Sequence, residues 1–182
     1  SLLIGSNSTL IPGYPYVADV TVTGDATIEQ GGSLLADGWG NPANSGNSPG
    51  HYCYSNSVVF GGGGGYGGAG GAGAYPCALG GGSFGVASAA TSLGSGGGDI
   101  GGGSHGGGRV ALNVAGVLSV DGLISANGTA GIWPGSGGGS GGAIALTVGA
   151  LRGTGRICAN GGMGDLARGG GGGGGRIVLD YG

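Results

Sequence analysis

The chain has 182 residues, 57 of them Gly, with no Lys, five Arg, eight acidic residues and a formal net charge of −3. Six Pro and the lack of a glycine at every third position exclude collagen, and 38% hydrophobic residues with only 7% charged ones argue against a disordered chain. No basic cluster marks a nucleic-acid partner, and no apolar run approaches the about 20 residues of a membrane span.

From the N-terminus, residues 1–18 are apolar and punctuated by Pro12 and Pro15, and read as an extended segment. The segment is a candidate strand-exchange arm carried by Leu2, Leu3 and Ile4. Residues 19–182 read as a single glycine-rich domain. Val20 and Val22 alternate with Thr21 and Thr23, a strand signature.

An irregular insert spans about 39–105 and holds most of the Tyr residues and two of the three cysteines. Cys53 and Cys77 bracket the run Gly61–Gly65. An oxidised pair there would close a glycine-rich loop with much entropy to lose on folding; the other reading is three unrelated buried thiols. Paired cysteines fit a secreted chain. Cys158 stands where Ser125 stands in a sister repeat, and reads as a small packed residue.

Repetition begins near residue 106. Gly108-Arg109-Val110-Ala111-Leu112 returns as Gly142-Ala143-Ile144-Ala145-Leu146 and as Gly175-Arg176-Ile177-Val178-Leu179. A second phrase, Leu118 to Gly128, returns as Leu151 to Gly161, with a looser copy at Ile28 to Gly38 in which Asp37 replaces Asn127 and Asn160. A fixed period of about 33 residues marks stacked structural units. Short strands are expected at 110–114, 117–120, 123–126, 143–148, 156–159 and 176–181; helix formers are too sparse for helix.

Stacking such units places Val110, Ile144 and Ile177 in one column and Leu112, Leu146 and Leu179 in another. The expected fold is therefore all-β: a glycine-rich parallel β-solenoid, or β-helix, with long Gly-rich loops. The alternative is polyglycine-II-type helices packed with short strands. Asn127 and Asn160 are expected at a corner, in left-handed Asn-Gly turns that bond along the stack.

The phrases at 137–144, 153–162 and 172–179, with Gly-Tyr-Gly-Gly-Ala-Gly-Gly at 65–71, Ala-Tyr-Pro at 74–76 and Leu-Gly-Ser-Gly-Gly-Gly at 93–98, follow one another over roughly Ala36 to the C-terminus. As a series they resemble a glycine-rich, β-helix-like repeat module of large secreted and cell-surface proteins of plants, algae, other protists and bacteria. The resemblance implies an extracellular or cell-surface setting and carries no catalytic residues.

No enzyme site emerges. Gly-x-Gly-x-x-Gly matches lack a following helix, and a phosphate loop would need a Lys. His51, Cys53, Cys77 and His105 match no zinc spacing. Asp99, Asp121, Asp165 and Asp180 occupy different repeat positions and form no paired acid and base. The chain is thus expected to be no enzyme, with no cofactor and no metal. Trp39, Trp133, Tyr66 and Tyr75 lie in or beside glycine-rich turns and are candidate glycan or interface contacts. Asn7 and Asn127 begin N-glycosylation sequons.

The expected function is a structural subunit or module of an extracellular fibre, filament or cell-surface assembly. It would self-associate through strand edges. Its partner would be itself, head to tail, with Leu2, Leu3, Ile4, Ile177, Leu179 and Tyr181 at the contact, or the neighbouring domains of a larger surface protein. The alternative is a carbohydrate-binding or adhesin module, with polysaccharide as partner.

Overall fold

A computed structural model describes residues 1–13 and 16–181. The extended chain expected around Pro15 falls outside the described residues. Twelve strands form: β1 (Leu2–Ile4), β2 (Thr9–Leu10), β3 (Val17–Val22), β4 (Ala26–Ile28), β5 (Ser33–Leu35), β6 (Tyr52–Ser55), β7 (Val58–Gly61), β8 (Arg109–Val120), β9 (Leu123–Ser125), β10 (Ala143–Arg152), β11 (Arg156–Cys158) and β12 (Arg176–Tyr181).

One parallel sheet runs β1-β4-β8-β10-β12, with β3 beside the first half of β8. A second parallel sheet runs β2-β5-β9-β11. The repeated phrases lie side by side in register: Ile144 pairs with both Val110 and Ile177, Leu146 with both Leu112 and Leu179, and Ile157 with Ile124. Alternation sends Val110, Leu112, Val114, Leu118 and Val120 inward, where they meet Leu34, Ile124 and Ala126 of the second sheet. The outward residues Ala143, Ala145 and Val178 are covered by the insert, through Tyr66, Phe84 and Ala90. Within the insert, β6 and β7 form an antiparallel hairpin that the sequence reading leaves as loop.

The glycine runs obey a different geometry. Six consecutive amides of 137–142 donate to the carbonyls of Gly98, Gly170, Thr129, Ser95, Gly173 and Ala126. Three neighbouring segments are thus addressed in rotation, each by every third residue. The run 61–65 is likewise embedded, with Gly62, Gly63, Gly64 and Gly65 donating to His51, Gly71, Gly138 and Ser48. Segments this close leave no room for side chains. A Cβ on Gly139 would run into the His105 carbonyl, and one on Gly137 into that of Gly62.

The expected fold class is corrected by this arrangement. Among the described residues there is no helix, and strand covers about 34% of the chain. The parallel strands sit in two sheets, and no third sheet closes the circuit, so no closed β-solenoid forms. Parallel strands joined by long crossovers are the connectivity of α/β proteins, here with glycine segments where helices would stand. The reason is the three-residue rotation: a segment bonded to neighbours on several sides builds a block rather than a sheet face or a loop. Polyglycine-II-type helices packed with short strands do not describe the whole either. β8 and β10 are 12 and 10 residues long, and the aliphatic core lies between the sheets.

The expected Asn-Gly turns also fail to form. None of Asn127, Gly128, Asn160 and Gly161 has a positive φ, because Gly128 instead donates to the Asn160 carbonyl in the next row.

Candidate self-association surfaces

The parallel stack has two ends: the β12 end exposes core-facing side chains, whereas at the other end Ile4, Ala18 and Val22 are buried. At one end β12 pairs, among the described strands, with β10 alone, so its inward-facing residues have a described neighbour strand on one side. Ile177 is 44% exposed, Leu179 38% and Tyr181 69%, where their row-mates Ile144, Leu146 and Val148 are buried. Beside β12 the stack steps down. No strand among those described lies outside residues 150–152 of β10 or outside β11. The step leaves two clefts, one lined by Leu151, Leu179 and Tyr181 and about 350 Å³ in volume, the other lined by Val120, Leu151, Gly153 and Ile157 and about 230 Å³. On the same end the exposed N–H groups of Gly171 and Gly174 donate to no described residue, although Gly170, Gly172, Gly173 and Gly175 all do.

At the opposite end β1 lies outside β4 and β2 outside β5, while β8 is the one described strand beside β3 and Val17 also bridges Gly13. Leu2–Ile4 is therefore a strand of its own sheet and not a detached arm. Ile4 is buried, Leu2 half-buried and Leu3 65% exposed on the outer face. Leu10, in the second sheet, is exposed.

The rows are tied to one another by side chains as well as by backbone. Asp37 Oδ1 accepts from the backbone N–H of Asn127 at 2.6 Å, and Asn127 Oδ1 from that of Asn160 at 2.7 Å. Asp25 accepts from Val117 N–H at 2.8 Å, and Asp121 from Thr154 N–H at 3.0 Å. The Asn127 side-chain amide also donates to Asp37 Oδ2 at 3.2 Å, so the nitrogen that a glycan would use is engaged. Asn7 is exposed, with φ 59°.

Cys53 and Cys77 form a disulfide with an S–S distance of 2.07 Å, which accords with an oxidising environment. Cys158 is a buried free thiol paired in register with Ser125. Among the described residues no helix is long and apolar enough to cross a membrane, and no three His, Cys, Asp or Glu side chains group as a metal site.

The aromatic candidates separate. Tyr66 is 1% exposed, stacked at 4.9 Å on Phe84 with the Arg176 guanidinium 5.5 Å from its ring, so it offers no face to a ligand. Tyr75 packs at 5.0 Å on Phe60 and remains partly exposed. Trp39 lies 5.9 Å from Tyr16 in a cleft of about 350 Å³ shared with Pro42 and His105. Trp133 is 51% exposed, its ring laid on Gly101.

Asp99 is a residue whose role the sequence does not signal. It is buried in the glycine block. One carboxylate oxygen accepts from Gly101 N–H and the Ser136 hydroxyl, the other from Gly103 N–H and the Ser104 hydroxyl. Burial raises its pKa, but the hydrogen bonds from Ser136, Gly101, Gly103 and Ser104 outweigh that and hold it below the ordinary aspartate value. With every acceptor site engaged, it works as a structural clamp.

No family model, curated protein or solved structure matches the chain. The functional reading therefore rests on the two end faces and on the disulfide.

Proposed function

We propose that the chain is a structural subunit or module of an extracellular fibre or cell-surface assembly, associating with itself or with neighbouring domains of a larger surface protein through the open ends of its parallel sheets. The observation that carries this reading is the row Ile177, Leu179 and Tyr181: core-facing apolar side chains left exposed on an edge strand with unpaired backbone groups. The edge has few guards against pairing: the chain has no Lys, β12 has no Pro, and its charges are Arg176 and Asp180 alone. The disulfide and the glycine-rich phrases support an extracellular setting. Negative-stain electron microscopy with sedimentation velocity tests the reading. Elongated particles growing with concentration support it; a monodisperse monomer at high concentration overturns it.

A second reading, a carbohydrate-binding module, is favoured by the exposed Trp133 ring and by the cleft at Trp39 and Tyr16. A saturable sugar ligand on a glycan array, lost with Trp133→Ala or Trp39→Ala, would select it. No binding at millimolar sugar would remove it.

A further inference from the structure

The two ends of the stack are each half a row short, and they lack opposite halves. At one end β12 covers the first half of β10, while residues 150–152 and β11 lie open. At the other end β1 and β2 cover β4 and β5, while no described strand lies outside β3, whose first residue Val17 bridges Gly13. We infer that the partner of the β12 end is the β1–β2 end of a second copy, so that one molecule's β12 and the next molecule's β1 and β2 complete a single row across the interface. The inference rests on the self-association reading and specifies its register.

The register follows from pairings within one chain. Leu2 pairs with Ala26, Ala26 with Leu118, and Leu118 with Leu151. The same path takes Leu3 to Arg152. In the second sheet it takes Leu10 through Leu34 and Ile124 to Ile157. One repeat further on, Leu2 of the next molecule sits beside Leu151, Leu3 beside Arg152 and Leu10 beside Ile157, filling the two clefts at the step. The next molecule's β3 then lies on β12, with Ala18, Val20 and Val22 beside Ile177, Leu179 and Tyr181, since those β3 residues already pair with Val110, Leu112 and Val114. In the core-facing columns apolar residues meet apolar residues, while on the outer face Leu3 meets Arg152.

Charge sets the direction. Residues 1–40 hold four acids, Asp19, Asp25, Glu29 and Asp37, and no base. Residues 143–182 hold four of the five arginines against Asp165 and Asp180. Head-to-tail docking sets an acidic segment toward a basic one, whereas docking of like ends sets like charge together. The two faces lie at opposite ends of the stack, so the contact is heterologous and can repeat from copy to copy.

Directed crosslinking tests the register. In a Cys158→Ser background, with the residue its row-mate Ser125 carries, Leu3→Cys and Arg152→Cys place two thiols on adjacent outer-face positions within disulfide reach. Mild oxidation should give a ladder of covalent dimers, trimers and higher species on non-reducing denaturing gels. Either single variant alone should give no ladder. Leu10→Asp, at a partly exposed side chain of the end row, should abolish elongated particles while the monomer keeps the circular dichroism spectrum of the parent. Elongated particles of the parent chain without the ladder, or assembly unaffected by Leu10→Asp, would overturn this register and leave self-association standing. A parent chain that stays monomeric would overturn both.

Discussion

The backbone N–H of Asn160 donates to the side-chain oxygen of Asn127, 33 positions earlier, at 2.7 Å. Asn127 N–H makes the same bond to Asp37 at 2.6 Å. Each side chain thus clips the row that follows its own, at the margin of the second sheet. Asn127→Ala removes the acceptor of the Asn160 N–H and a donor to Asp37, at an expected cost of about 0.5–1.5 kcal/mol because water reaches both groups. Thermal unfolding followed by circular dichroism checks this. Asn127→Asp restores the acceptor but sets a second carboxylate against Asp37, so it should remain less stable than the parent at neutral pH, and added salt should narrow the difference.

Gly139 and Gly174 both belong to glycine runs but should answer differently to alanine. A Cβ on Gly139 meets the His105 carbonyl, whereas one on Gly174 has nothing within 4 Å. Gly139→Ala should cost more than about 3 kcal/mol or prevent folding, as overpacking against backbone has no flexible side chain to yield. Gly174→Ala should be neutral, or stabilising by about 0.4–1 kcal/mol through a less free unfolded chain. Denaturant midpoints of the two variants decide it. Equal midpoints would mean the glycine block is not packed as described.

The contrast shows what was legible in the residues. The register of Val110, Ile144 and Ile177 could be read because aliphatic side chains repeat at a fixed step and alternate across a sheet. The inter-row bond at Asn127 and Asn160 could be read from the same step, although the turn expected there could not. The glycine block could not be read, because a run of identical residues carries no register. Whether Gly139 faces His105 or Gly174 faces solvent is set by neighbours far along the chain. The hairpin of β6 and β7 was hidden for a related reason: its turn uses Asn56 and Ser57 at φ 49° and 64°, without the glycine that usually signals one. Of the end faces, Ile177, Leu179 and Tyr181 were legible, while Leu10, Leu151 and Ile157 emerged only when the pairing showed that the two ends are stepped.

The Cys53–Cys77 bond ties the β6–β7 hairpin to the insert across 24 positions. Closing a loop of that length stabilises by about 3 kcal/mol in the chain-entropy account. Reduction, or Cys53→Ala with Cys77→Ala, should lower the melting temperature. The loss should be local: hydrogen exchange should quicken at Val58 and Phe60 while Val110 and Ile144, in the core between the sheets, stay protected. Uniform loss of protection would make the insert part of the main cooperative unit.

Asp99 supplies the pH dependence. Its pKa in the folded chain lies below the ordinary aspartate value, because four hydrogen bonds to the carboxylate outweigh its burial. A depressed folded-state pKa means that the unfolded chain takes up the proton first as the solution is acidified. The contribution of Asp99 is therefore fully present above the ordinary aspartate range and is lost as pH falls through the lower, folded value. Asp99→Asn keeps the size of the side chain but turns an amide N–H₂ toward groups that are themselves donors. At neutral pH it should cost about 1–3 kcal/mol. As pH falls below about 4, the parent should lose stability faster than the variant, so that the gap between their unfolding midpoints narrows. A gap that stays constant from pH 7 to pH 2 would mean the carboxylate is not held in its charged form by Gly101, Gly103, Ser104 and Ser136.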